Sequence, residues 1–121
     1  MGMFSVGIEI IAADGHTSEA HPAVVDTGAS YLALPRNVLQ RFGYRPLDTQ
    51  RVVFANGQTA VWSVTEVRVR LEGRERTVIA FMAEPDSPAL IGAQTLETFG
   101  LGVDPLARRL IPVDAYLVAT V

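Results

Sequence analysis

The stretch Ala23–Ser30, AVVDTGAS, decides how the rest of the chain is read. An apolar, β-branched run through Val24 and Val25 stops on a carboxylate, and Thr27 and Gly28 follow at once. An ionised aspartate beside a buried strand is costly unless something hydrogen-bonds it or shares its proton. Asp26 therefore has two readings. It can close an Asx-turn, its side chain bonded to the backbone two residues on, or it can be a carboxylate put there for chemistry. The surrounding sequence has to separate them.

The chain has 121 residues, enough for one domain spanning 1–121 and too few for two lobes. Hydrophobic residues make up 49% of it, yet no uninterrupted apolar run approaches the roughly 18 to 20 residues of a bilayer span. The N-terminal MGMFSVGIEI lacks the basic flank of a signal peptide, and Val6 stands where a myristoylation signal carries Ser or Thr. A soluble, cytoplasmic protein without membrane association is expected. No cysteine is present, so disulfides, thiolate metal sites and a cysteine nucleophile are excluded. The net charge of −3 argues against a nucleic-acid surface, which needs clustered positive charge. All ten basic residues are arginine. Arg68, Arg70, Arg74 and Arg76 are broken up by Glu66, Glu72 and Glu75 and read as one solvated sheet face. His16 and His21 lack the spacing of a helical zinc pair, and no glycine-rich phosphate loop or Gly-x-Ser-x-Gly elbow occurs. Neither a metal nor a cofactor is expected.

Along the chain, short strands alternate with turn signals. Phe4–Ala12 and Ser18–Val25 form a hairpin about Asp14-Gly15, and Tyr31–Leu34 is a short strand. Pro35 opens a helix whose Val38, Leu39 and Phe42 share a face and which Gly43 stops. Asn56-Gly57, between two β-rich runs, marks a projecting hairpin. In VTEVRVRLEG, Val67, Val69 and Leu71 alternate with Glu66, Arg68 and Arg70, so one face is wet. A turn at Glu72-Gly73 leads to RERTVIAFMA, ALIG is a short buried strand, AQTLETFG a second short helix, and a last strand pair brackets Asp104-Pro105. Eight or nine strands with two short helices give a mostly antiparallel all-β domain. AVVDTGASYLALPRNVLQRFG and ALIGAQTLETFG echo each other as strand, tight turn and helix, and only the first ends its strand on a carboxylate.

DTGA, Leu34-Pro35 with its helix, the Ala55-Asn56-Gly57 hairpin, Leu90-Ile91-Gly92 and Val103-Asp104-Pro105 occur in the order found in retropepsin-like aspartic peptidases. The chain resembles the small single-domain cellular and prokaryotic members over nearly its whole length. The resemblance implies an acid-protease half-barrel with one or two short helices, working as a C2 homodimer, and an endopeptidase in which two carboxylates share one proton. One of them deprotonates water while the other protonates the leaving amine; aspartic proteases are a standard example of such a coupled pair. By this resemblance Asp26, Thr27 and Gly28 form the catalytic loop. Gly28 would let the backbone donate to the carboxylates, and Thr27 would bond across to its twin. None of Asp14, Asp48, Asp86, Asp104 and Asp114 begins a second Asp-Thr-Gly, and the resemblance implies that the second carboxylate comes from a second copy across a two-fold axis. Substrate contacts are expected from Ala29 and Ser30, from the flap tip Ala55, Asn56, Gly57 and Gln58, and from Ile91. The partners are a second copy of the chain and a peptide or protein substrate.

Three departures accompany the resemblance. The flap tip has one glycine where retroviral enzymes have several. Ser30 and Ala93 stand where those enzymes carry an ion-paired Asp and Arg. The dimer must then be held otherwise, and the strand-like, apolar termini MGMFSVGIEI and AYLVATV could interleave across the axis. These departures motivate the alternative, a retropepsin-fold dimerisation or peptide-binding module without turnover. Trp62, on the second flap strand, could line a pocket or pack beneath the flap; a lone aromatic in a strand is usually buried.

Overall fold

A computed structural model describes residues 3–117, which form nine strands and two short helices. Strands β1 (Phe4–Ile11) and β2 (Ser18–Val25) pair antiparallel along their whole length. After the loop at Asp26–Ser30 come β3 (Leu32–Pro35) and helix α1 (Arg36–Arg41). The hairpin arms are β4 (Asp48–Val53) and β5 (Thr59–Leu71), and β5 turns back through Glu72-Gly73 into β6 (Arg74–Ala83). Strand β7 (Ala89–Ile91) runs into α2 (Ala93–Phe99), and β8 (Leu101–Asp104) pairs with β9 (Arg109–Pro112) in a separate two-stranded sheet.

The main sheet has the order β1-β2-β7-β3-β6-β5-β4, and β1 also pairs with β5. That extra pairing closes six strands into a barrel and leaves β4 as an outlying arm. Closure rests on three residue pairs, Glu9 with Arg70, Ile10 with Val69 and Ile11 with Arg68. Alternation explains how the core fills. Val67, Val69 and Leu71 point inward with Ile8, Ile10, Leu32, Leu34 and Phe99, whereas Glu66, Arg68 and Arg70 stay in water. Most pairings are antiparallel; β2 with β7 and β3 with β6 are parallel. The two echoing segments of the sequence thus lie side by side, their first strands hydrogen-bonded through Ala23–Val25 and Ala89–Ile91.

Several expectations are refined. The second flap strand and the alternating VTEVRVRL segment are one continuous strand of 13 residues, β5. Arg74 and Arg76 do more than face solvent: their guanidiniums donate to the carbonyls of Phe99 and Thr98, where the last turn of α2 leaves acceptors unpaired and the helix dipole favours positive charge. Phe4–Ile11 is built into the barrel through β2 along its whole length and through β5 at Glu9–Ile11. At the other end Val113–Leu117 has no regular structure, and residues 118–121 lie outside the described region. Among the described residues no helix is long and apolar enough to cross a membrane.

Candidate active site

Asp26 sits just past the last residue of β2, where the strand leaves the barrel. Its backbone N–H donates to the Ile91 carbonyl (2.9 Å), extending the β2–β7 pairing by one step. The chain then turns sharply, with Ala29 N–H donating to the Asp26 carbonyl (3.0 Å). On the far side the Ala29 carbonyl accepts from Ala93 N–H (2.8 Å) and the Ser30 carbonyl from Gln94 N–H (3.0 Å). The loop is therefore pinned on both flanks to the β7–α2 junction.

Gly92 makes this fastening possible. A Cβ there would lie 2.4 Å from the Tyr31 carbonyl oxygen and 2.8 Å from that of Ala29, closer than real side chains come. Only glycine lets the two backbones approach so closely. The sequence alone offered no signal that singled out Gly92 beyond its place in Leu90-Ile91-Gly92.

Within the loop, Gly28 N–H donates to Asp26 Oδ1 at 3.0 Å. The two readings of Asp26 turn out to share one geometry, since an Asx-turn is what holds the carboxylate in place. Asp26 is half-buried, while Thr27 and Gly28 are exposed. A carboxylate with one oxygen fixed by a backbone donor and part of its surface open can accept a proton or hold a water. Thr27 Oγ1 makes no hydrogen bond among the described residues. Ala29 is half-buried and Ser30 exposed, both beside the carboxylate.

Ile91 requires a correction. It was expected to touch substrate, but its side chain is 0% exposed and packs in the barrel core with Val25 and Phe99. Its part in the site is the carbonyl that receives Asp26 N–H. The β7 residue with the opposite orientation is Leu90, which packs on a second cluster with Ala33, Phe81, Tyr31, Trp62 and Val64 on the other face of the sheet.

That second cluster joins the loop to the hairpin. Tyr31 meets Phe81 at 5.0 Å between ring centroids, Phe81 meets Trp62 edge-on at 6.0 Å, and Trp62 meets Phe54 edge-on at 5.4 Å. Trp62 is thus half-buried beneath the hairpin and outside the main core. The tip runs Phe54–Gln58, five residues rather than the two that Asn-Gly by itself would need. Gly57 N–H donates to the Phe54 carbonyl (2.9 Å), Phe54 N–H to the Gln58 carbonyl (2.8 Å), and Gln58 N–H to Asn56 Oδ1 (2.9 Å). Gly57 takes φ +85°, a left-handed turn that suits glycine. Ala55, Asn56, Gly57 and Gln58 are all exposed. Among the described residues no group of three or more histidine, aspartate or glutamate side chains is gathered as a metal site would need.

The sequence matches the family model described as "gag-polyprotein putative aspartyl protease" over residues 13–98. The chain belongs to this aspartyl protease family. The family match spans both flanks of the site, from the β1–β2 turn to the α2 residues that pin the loop. No curated protein sequence matches the chain significantly. Among solved structures, the fold is similar to the EIAV protease in complex with an inhibitor (TM-score 0.60, 17% identity, covering 82% of this chain and 89% of that one). It is also similar to the simian foamy virus protease (TM-score 0.56, 18% identity, 79% and 94%). A retropepsin-like aspartic protease from Rickettsia conorii is a third (TM-score 0.54, 24% identity, 85% and 88%). At these identities the likeness is one of fold, and the all-β, retropepsin-like architecture follows. Family and fold together support a protease function in general terms.

Proposed function

We infer that the protein is an aspartic endopeptidase acting as a homodimer, with Asp26 of each subunit forming the catalytic pair. One observation carries this reading: a half-exposed carboxylate stands on a loop pinned on both flanks by main-chain hydrogen bonds, in a chain with a single Asp-Thr-Gly. None of the other described aspartates stands in an Asp-Thr-Gly loop: Asp14 lies in the β1–β2 turn, Asp48 accepts from Thr49 N–H at the start of β4, Asp86 is bonded to Asn37, Asp104 caps the β8–β9 turn and Asp114 follows β9. A second copy related by a two-fold axis supplies the missing acid through the same surface patch.

In this mechanism the two carboxylates hold one proton between them, because like charges in contact do not both ionise. The ionised Asp26 takes a proton from water as its oxygen attacks the scissile carbonyl. The protonated one gives its proton to the carbonyl oxygen. As the tetrahedral species collapses, the C–N bond breaks, the amine leaves with the proton taken from water, and the hydroxyl made from the carbonyl oxygen returns its proton to the other carboxylate, which restores the singly protonated pair. Thr27 braces the partner loop, Ala29, Ser30 and Leu90 flank the substrate, and the Ala55–Gln58 tip closes on an extended peptide through backbone hydrogen bonds.

The test is Asp26→Asn. The variant is expected to sediment as a dimer like the parent and to lose cleavage of a random peptide library at every pH, while the parent cleaves best on the acid side of neutrality and is blocked by a pepstatin-like inhibitor. Cleavage retained by the variant, or a parent that stays monomeric at all workable concentrations, would refute the mechanism.

A further inference from the structure

Tyr31, the residue after the Asp26–Ser30 loop, lines with Leu47–Gln50, Val64–Glu66 and Ile79 a hollow of about 460 Å3, within the range of small-molecule and side-chain sites. We propose that this hollow, walled by Tyr31, Leu47, Val64 and Ile79 and rimmed by Asp48 and Glu66, is a substrate subsite for a long basic side chain of an extended peptide. The proposal rests on the endopeptidase reading and names the residue class that site would select.

Position comes first. Tyr31 directly follows the Asp26–Ser30 loop, whereas Asp48 and Glu66 lie on β4 and β5, opposite Val64 and Ile79 respectively in the strand register. A peptide running between the loop and the hairpin passes this hollow. The Tyr31–Phe81–Trp62–Phe54 ring series ties its inner wall to the hairpin tip, so the wall is a packed surface rather than a collapsible gap.

Charge then chooses the occupant. Besides its apolar residues and Thr49, Gln50 and Thr65, the hollow is lined by two carboxylates and by no arginine. Among the described residues neither Asp48 nor Glu66 takes part in an ion pair; every glutamate that does, Glu9, Glu19, Glu75 or Glu84, lies elsewhere. Asp48 accepts only the neighbouring Thr49 N–H. The buried Thr65 hydroxyl is committed to the Arg45 carbonyl and does not compete. Apolar walls beside unpaired negative charge complement a side chain with an aliphatic stem and a cationic tip, which is lysine or arginine. An acidic side chain would meet two like charges, and a short polar one would leave the apolar wall uncovered.

The test uses the full chain and synthetic extended peptides that differ at one position, carrying lysine, norleucine or glutamate, with that position scanned along both sides of the cleaved bond. Norleucine keeps the stem and removes the charge. At one position kcat/KM for lysine is expected to exceed that for norleucine about tenfold, as a part-desolvated charge pair supplies, with glutamate poorest. The lysine-to-norleucine ratio is expected to fall toward unity in the Asp48→Asn, Glu66→Gln double variant and to narrow as salt is raised. Equal rates for lysine and norleucine at every position, or a preference that survives in the double variant, overturn the subsite. Binding of the same peptides to Asp26→Asn, followed by fluorescence anisotropy, separates the two claims. Cleavage without basic preference removes only the subsite, and basic-selective binding without cleavage by the parent removes only the peptidase reading. Neither binding nor cleavage removes both.

Discussion

Two glycines do different work around Asp26, and substitution should tell them apart. At Gly92 an added methyl has backbone on three sides, at 2.4 to 2.9 Å, and no flexible atom to displace. Gly92→Ala must move either the Asp26–Ser30 loop or the start of α2. Overpacking against backbone of this kind costs about 3 kcal/mol, so urea unfolding should show a large drop in midpoint. At Gly28 the added methyl meets only Asp26 Oδ1, at 3.2 Å, and the site is exposed. Gly28→Ala should therefore cost less than about 1 kcal/mol of stability, yet it presses on the one carboxylate oxygen that the loop holds in place. A shift of that group by a fraction of an ångström to 1 Å reduces turnover by up to about 10²-fold. The expected pair of outcomes is a near-normal denaturation curve with kcat reduced tenfold or more for Gly28→Ala, and a strongly destabilised protein for Gly92→Ala.

At the scale of elements, the hairpin depends on its aromatic support. Trp62 packs edge-on against both Phe54 at the tip and Phe81 on β6, while β4 has no neighbour on its outer side. Trp62→Ala removes both contacts; for a half-buried ring the loss is about 2 kcal/mol, below the core value. The tip should loosen more than the barrel, so amide exchange at Ala55–Gln58 is expected to quicken while that of Val67–Leu71 stays slow. Much of this architecture was legible locally. Alternation marked β5's inward residues, Pro35 and Gly43 bounded α1, and Asn56-Gly57 located the hairpin. What was not legible depends on register. Ala89-Leu90-Ile91 is apolar at every position, so no polar residue tells inward from outward; only pairing with Ala23 and Val25, both buried, turns Ile91 into the core and Leu90 toward the Phe81–Trp62 cluster on the other face. Gly92 and Tyr31 escaped for the same reason, since their roles arise from contacts between segments far apart in sequence.

For the whole molecule, the seam that closes the barrel is also heavily charged. β1 and β5 share three residue pairs, and across them Glu9 bonds both Ser18 on β2 and Arg70 on β5, while Glu75 on β6 bonds Arg68 and Arg70. The Ser18 hydroxyl and then the Arg70 guanidinium hold the Glu9 carboxyl below its ordinary 4.5, and Arg68 followed by Arg70 does the same for Glu75. A carboxyl whose value is lower in the folded chain binds its proton more weakly there than when unfolded. Its contribution is therefore fully present above about 4.5 and is lost as pH falls through the folded value. The thermal midpoint should accordingly stay level from neutrality to about pH 5 and decline below it. Arg70→Met keeps a long apolar stem but removes the charge common to both carboxylates, so its midpoint should lie lower at neutral pH and fall less steeply in acid. Equal acid slopes for parent and variant would show that the seam does not set the acid limit. In the proposed mechanism that limit bears on function, because a pair sharing one proton favours the same direction of pH that opens the barrel. Activity should thus rise on acidification only until the seam fails, and Arg70→Met should shift the descending acid limb of the rate profile without moving its neutral limb.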